Sequence, residues 1–508
     1  MRNTDDAARS PARTTSAITA SSATAALVGL VLALFGVYWD DAWHTDRGRD
    51  ETLSAPHVAL YAGVALAVGV VIRWGWQRRA GGVTAMISGP VGVAVIGAAV
   101  TLGSAPVDAW WHEAFGRDAV VWSPPHMVAL LGTISLASGI AMIAGQSAAA
   151  MTSRAGSVLS VAAGAGVLGG WQVLVLEYDT DVAQFSPLWY LPALATGLMA
   201  GLLTVQAVLP TRLAWPATRA GMAYTAAVTA VTVVLWVMDF SRPIVPVIIP
   251  ALVVADVARR RGWPVSARAV TFVAALFIVY VPYLQIVSGG VAPSTPDALV
   301  GTAIAAAAVA AVIVVFDPAP SRRAPIGSTA ALAALATFVV LTVSVPRPAA
   351  AHDPGQGDEV ASVTLTATVT EGRVDVMVAL DPGTEGIEPE RVVARRAGRV
   401  VTGSLDEGEG GWVGRVDLDE SGRWFVYTEA RAGEDRLEAW LPVTIGDDGS
   451  VSKSTELYLV TETDGPTAAQ VVVGGVLIAL SLAIVGRIAA TVRSLNQTTD
   501  RRREFVAD

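Results

Sequence analysis

Apolar stretches of about 20 residues recur along this chain, and each is long enough to cross ~30 Å of hydrocarbon as a helix. They fall near 17–38, 57–76, 83–105, 126–149, 156–176, 188–208, 220–238, 244–258, 265–286, 296–315, 327–347 and 466–488. The eighth is short and holds Pro246 and Pro250. A different rhythm occupies 352–464. Apolar and polar residues alternate there through Val363-Thr364-Leu365-Thr366-Ala367-Thr368-Val369, Val374-Asp375-Val376-Met377-Val378 and Trp424-Phe425-Val426-Tyr427. Alternation of period two, broken by Gly and Asp-Gly turns, predicts a small antiparallel β-sandwich. The pattern therefore predicts a polytopic α-helical membrane protein of about twelve transmembrane helices, built partly from hairpin repeats, with a C-terminal all-β sandwich domain. The divisions fall at 1–16 (N-terminus), 17–347 (membrane domain), 352–464 (β domain), 466–488 (anchor helix) and 489–508 (tail).

Composition agrees with this picture. Hydrophobic residues make up 53% of the chain and charged residues 16%, and mean hydropathy is +0.52, which fits a polytopic membrane protein and not a soluble one. The net charge of −9 lies mostly in loops and in the β domain, so nucleic acid is not an expected partner. Cysteine is absent, which excludes disulfides, thiolate metal sites and cysteine nucleophiles. Basic residues are almost all arginine, with Lys453 the one lysine, a bias that suggests a bacterial source.

Arg2, Arg9 and Arg13 precede the first apolar run as in a signal peptide, but the run is long enough to stay as a helix. The pairs and clusters Arg78-Arg79, Arg154, Arg212 and Arg219, Arg259 to Arg261, Arg322-Arg323 and Arg501 to Arg503 alternate onto one face. By the positive-inside rule that face and both termini are cytoplasmic, and 352–464 is extracytoplasmic in a bacterial plasma membrane.

The opposite face receives all five histidines, four of them in a repeated pattern. The first copy runs Asp40-Asp41-Ala42-Trp43-His44, Arg49-Asp50, Ser54-Ala55-Pro56-His57. The second runs Asp108-Ala109-Trp110-Trp111-His112, Arg117-Asp118, Ser123-Pro124-Pro125-His126. His44 and His112 are 68 residues apart and His57 and His126 are 69 apart, so the repeating unit is a helical hairpin. A degenerate third unit, with Asp179, Asp181 and Ser186-Pro187 but no histidine, follows it. A spacing of four on a helix stacks Asp40 over His44 and Asp108 over His112. Ser54 and Ser123 suit the N-cap and the following prolines the first turn, which places His57 and His126 at a fixed helix start. Two imidazoles and a carboxylate on rigid elements, with coordination positions left open, predict a metal site in each copy. Arg49, Asp50, Arg117 and Asp118 are placed to orient an imidazole or balance charge. Duplicated structural hydrogen bonding within an interfacial aromatic belt of Trp39, Trp43, Trp110, Trp111 and Trp122 is the bland alternative. Glu177, Asp179, Asp181 and Asp239 near helix ends either extend a cation path or are solvated ends.

The pattern Asp-x3-His-x12-His, with Trp before the first His and Arg-Asp and Ser-x-Pro before the second, resembles the C subunit of copper membrane monooxygenases. It covers about twenty residues per copy, and the second copy departs by one residue. The resemblance implies that Asp40, His44 and His57, and by analogy Asp108, His112 and His126, hold a metal, copper foremost, with zinc or iron as alternatives. It also implies partner membrane subunits beside the lipid bilayer. Small residues at Ala349-Ala350-Ala351 resemble a signal-peptidase site, and cleavage there would leave His352 as an N-terminal histidine. Such a terminus binds copper in the B subunit of those monooxygenases and in periplasmic copper-resistance modules, which the β domain with its anchor also resembles. Three functional classes stay open: a copper-dependent monooxygenase-like oxidoreductase, a metal-ion transporter or acquisition protein, and a non-metal assembly protein.

Overall fold

The computed structural model describes residues 19–48, 53–115, 121–149, 154–179, 182, 185–209, 213–287, 293–316, 357–384, 386–396, 399–446, 449–460 and 467–507. Ten of the described helices are long and apolar enough to cross a membrane, which makes this a multi-pass membrane protein. The helices that build the candidate site are α1 (Ala20–Arg47), α2 (Ala55–Gln77), α4 (Gly89–Phe115) and α5 (Pro124–Ala149). A short α3 (Gly82–Met86) joins the two hairpins, and α6 (Arg154–Gln172), α7 (Leu176–Asp179), α8 (Tyr190–Val208), α11 (Val265–Val287) and α12 (Thr295–Phe316) belong to the rest of the membrane domain. The expected segment 327–347 lies outside the described residues.

The repeat extends beyond the polar motif into the packing of the hairpins. A methyl group placed on Gly29 would lie 2.7 Å from the Gly63 carbonyl oxygen, and one on Gly63 would lie 2.3 Å from the Ala33 nitrogen. In the second copy, a methyl on Gly97 would lie 2.2 Å from the Leu136 nitrogen, and one on Gly132 would lie 2.9 Å from the Thr101 nitrogen. These glycines are 68 and 69 residues apart, the same offsets as the histidines. Small residues let membrane helices approach backbone to backbone where the hydrophobic effect gives little drive. Each hairpin is thus clamped in one register, and the helix ends that carry the histidines are fixed by it.

The eighth apolar segment is not a single spanning helix. Helix α9 (Pro216–Val237) is followed by non-helical backbone over 241–248, and only then by the twelve-residue α10 (Ile249–Arg260). Pro243, Pro246 and Pro250 explain the break, since proline removes a backbone donor and clashes with the preceding turn. Such backbone is tolerated at membrane depth only when protein satisfies it. Here Thr232 Oγ1 donates to the Pro243 carbonyl at 3.3 Å, Thr225 Oγ1 to Pro246 at 3.3 Å and Tyr283 Oη to Val245 at 2.7 Å. The amphipathic α10 then buries Asp256, whose carboxylate accepts from the backbone nitrogens of Ala217 and Thr218 and so caps α9.

The β domain is a closed eight-stranded antiparallel barrel, not the expected sandwich. Its strands are β1 (Glu359–Thr370), β2 (Arg373–Leu380), β3 (Ile387–Arg396), β4 (Arg399–Gly408), β5 (Gly411–Asp417), β6 (Gly422–Ala432), β7 (Asp435–Ile445) and β8 (Gly449–Leu459). The order around the barrel is β1-β2-β5-β4-β3-β6-β7-β8. Closure comes from β1 pairing with β8, from Glu359↔Tyr458 to Val369↔Gly449. Alternation along each strand is the same in a sandwich and a barrel, so only this long-range pairing distinguishes them. Val363, Leu365, Val376, Trp424, Leu441 and Leu457 fill the interior. Among the described residues the β7–β8 seam is short, with register pairs at Leu437↔Leu459 and Glu438↔Tyr458 and the Val460 N–H donating to the Arg436 carbonyl at 2.9 Å. Helix α13 (Ala468–Ala507) follows the barrel.

Candidate metal centres

Helices α1 and α4 continue well past their apolar runs, to Arg47 and Phe115, so both Asp-x3-His pairs are helical. Ser54 and Ser123 precede α2 and α5, and their carbonyls accept the first helical bonds, from Val58 and Met127 at 2.9 Å each. His57 and His126 are the third residues of their helices, in the first turn. The offset between stacked residues on one helix and the first turn of the next brings the three side chains of each copy together.

The geometry repeats closely. His57 Nε2 lies 3.2 Å and His44 Nε2 3.9 Å from Asp40 Oδ1. His126 Nε2 lies 3.1 Å from Asp108 Oδ1, and His112 Nε2 3.4 Å from Asp108 Oδ2. In each triad one ligand atom per residue lies within 4.8 Å of the others, and all six residues are half-buried. Bonds of about 2.0–2.2 Å around one ion set a ceiling of about 4.4 Å between its ligands, so small side-chain movements close either triad on a metal. One carboxylate oxygen and two neutral imidazoles form a borderline-to-hard donor set, suited to Cu(II), Zn or Fe(II). The residues present fit an ion with open positions.

The surroundings differ between copies. Tyr61 stacks on His57 with ring centroids 5.4 Å apart, while the His112 and His126 rings meet edge to face at 5.7 Å. Trp43 stacks on Phe240 at 5.6 Å, and Arg47 lies over both rings. Trp111 meets Phe115 at 4.8 Å and packs with Val128 and Leu477 of α13. Trp122, just before the second Ser-Pro-Pro, donates its Nε1 proton to the Leu174 carbonyl at 2.8 Å.

Motif reading did not reach the side chains that support the first copy from a distance. Asp46 accepts from Ser241 Oγ at 2.7 Å and pairs with Arg423 of β6 at 3.1 Å; Lys453 of β8 donates to the Asp46 carbonyl at 2.7 Å. The only signal in the sequence is a difference between copies, Asp46 standing where the second has Ala114. Arg49, Asp50, Arg117, Asp118, Asp181 and His352 lie outside the described residues. The chain matches no family model, no curated protein and no solved structure.

Proposed function

We propose that this is an integral membrane metal-binding protein that holds one transition-metal ion in each Asp/His/His triad, copper foremost, with zinc or iron as alternatives. The observation that supports it most is duplication: two independent hairpins bring the same three residue types to the same convergence. Structural hydrogen bonding needs no such repetition of donor atoms. The chain's own part is to fix imidazoles at helix starts, stack a carboxylate one turn from a second imidazole, and leave positions open. A bound copper would supply Lewis acidity or one-electron chemistry there. Relationship to the copper membrane monooxygenases is the functional direction favoured, and it requires partner subunits. The triads then face the extracytoplasmic side of a bacterial plasma membrane, with both termini cytoplasmic.

Elemental analysis of the purified full-length protein, with a spin-resonance spectrum after copper loading, tests this. Two equivalents of metal and a nitrogen-ligated Cu(II) signal are expected. Metal content unchanged in a His44→Ala/His112→Ala variant would overturn it. Metal transport or acquisition is a second reading, favoured by the interrupted segment over 241–260, because broken spans are common where transporters build midplane paths. Oxygen-dependent turnover of a short hydrocarbon or ammonia, set against metal uptake into proteoliposomes, separates the two.

A further inference from the structure

The C-terminal end of α1 is gripped by the barrel where the β7–β8 pairing has run out. Lys453 on β8 donates to the Asp46 carbonyl at 2.7 Å. Arg423 on β6 donates through one nitrogen to Asp46 Oδ1 at 3.1 Å and through the other to Ser241 Oγ at 2.8 Å. Gly48, in the left-handed half of backbone space at φ 83°, lies under the β7 Trp440 ring; a methyl group there would stand 2.2 Å from Trp440 Cη2. The same glycine ends α1, its N–H donating to the carbonyls of Trp43 and His44 at 3.2 Å. Around this grip, Val393, Phe425, Tyr427, Trp440 and Tyr458 on the outer face of the barrel are buried together with Val182 of the membrane domain.

The second copy keeps the glycine, as Gly116 outside the described residues, but lacks the carboxylate of this grip. Aligned on His44 and His112, Asp46 corresponds to Ala114, which has no carboxylate, and Arg47 to Phe115. Phe115 instead packs toward α13 with Trp111, Val473 and Leu477.

Resting on the metal reading above, we propose that the barrel is a positioning element for the first triad alone. Asp46 and Gly48, held by Arg423, Lys453 and Trp440, set the end of α1 and with it the direction of His44. The two ions are then bound unequally, and lifting the barrel loosens only the first. Outer contacts that orient metal ligands typically contribute about 10–100-fold in affinity.

The test uses the full-length protein and Zn(II) as the probe, titrated into two backgrounds that each keep one triad: His126→Ala retains the first, His57→Ala the second. Adding Arg423→Ala should weaken Zn(II) binding about tenfold at the first triad and leave the second unchanged. Arg423→Lys, which keeps the charge but reaches one partner instead of two, should fall between. The second triad serves as the folding control within each preparation. Because the chain has no cysteine, Val182→Cys adds an independent readout, and its alkylation should speed up when Arg423→Ala frees the barrel. Unchanged affinity at the first triad, or equal loss at both, overturns the positioning role while leaving the metal reading in place. Failure of Zn(II), Cu(II) and Fe(II) alike to bind either triad of the wild-type chain removes the metal reading and the positioning role with it.

Discussion

The two triads share donor atoms, spacing and hairpin packing, yet they rest on different supports. The first rests on the end of α1, held by the barrel through Asp46 and Gly48. The second ends in Phe115 and Trp111, packed against α13. Both supports belong to the C-terminal part of the chain, but one is a largely polar clasp between a helix end and the barrel and the other an apolar contact between helices. A duplicated motif is therefore not a duplicated site. Side chains that touch an ion can be copied with the hairpin, whereas the contacts that hold them depend on what each copy meets.

The sharpest way to break the comparison is to remove one imidazole at a time. His57→Ala and His126→Ala should each cost one metal equivalent and leave the other, read by elemental analysis of the purified protein. Loss of both ions from either variant would point to a single shared centre instead. The glycine pairs come next. Gly63→Leu pushes a side chain onto the Ala33 backbone and should destabilise the first hairpin by about 3 kcal/mol, the upper end of overpacking costs. Gly132→Leu, with more room (2.9 Å against 2.3 Å), should cost less. Thermal unfolding in detergent reads both.

A third experiment exchanges the distinguishing residue. Asp46→Ala gives the first copy the residue of the second and should lower its affinity about tenfold. The reverse change, Ala114→Asp, has no Arg423 to meet and should leave metal affinity at the second triad unaltered. The smallest expected effect is one of pH. Burial holds the Lys453 pKa below its ordinary value, with Asp46 opposing the shift and Arg47 adding to it. The docked state then binds this proton less tightly than the free chain. Stability should therefore rise as pH climbs from the docked pKa toward the ordinary lysine value, and level off outside that window. Lys453→Met should flatten this slope, as seen in melting temperature against pH.

Much of this architecture was legible in the sequence, and the exceptions have physical causes. Ten spanning helices follow from apolar length, and both triads follow from a helical spacing of four joined to a Ser-Pro helix start. The eighth segment misled because hydropathy does not weigh the backbone cost of Pro243, Pro246 and Pro250, which the hydroxyls of Thr225, Thr232 and Tyr283 make tolerable. Barrel closure was hidden because β1 and β8 meet across most of the domain, and local alternation carries no record of that pairing. The clasp was hidden for the same reason, since Asp46 and Arg423 are 377 positions apart. The glycine register lay in plain sight at the histidine offsets, but small residues are common in membrane helices whether or not a neighbour approaches them.

The short seam between β7 and β8 has a consequence for the barrel as a body. The barrel is closed, but a seam held by few strand pairs leaves backbone groups on offer, and such a stretch beside aromatic surface invites pairing with another chain. In the whole protein Gly48 at the end of α1 lies under Trp440, and Val182 of the membrane domain is buried with Phe425, Tyr427 and Trp440. Cut away from its helices, the same barrel would turn this aromatic face to solvent, a surface that the membrane domain covers in the intact chain.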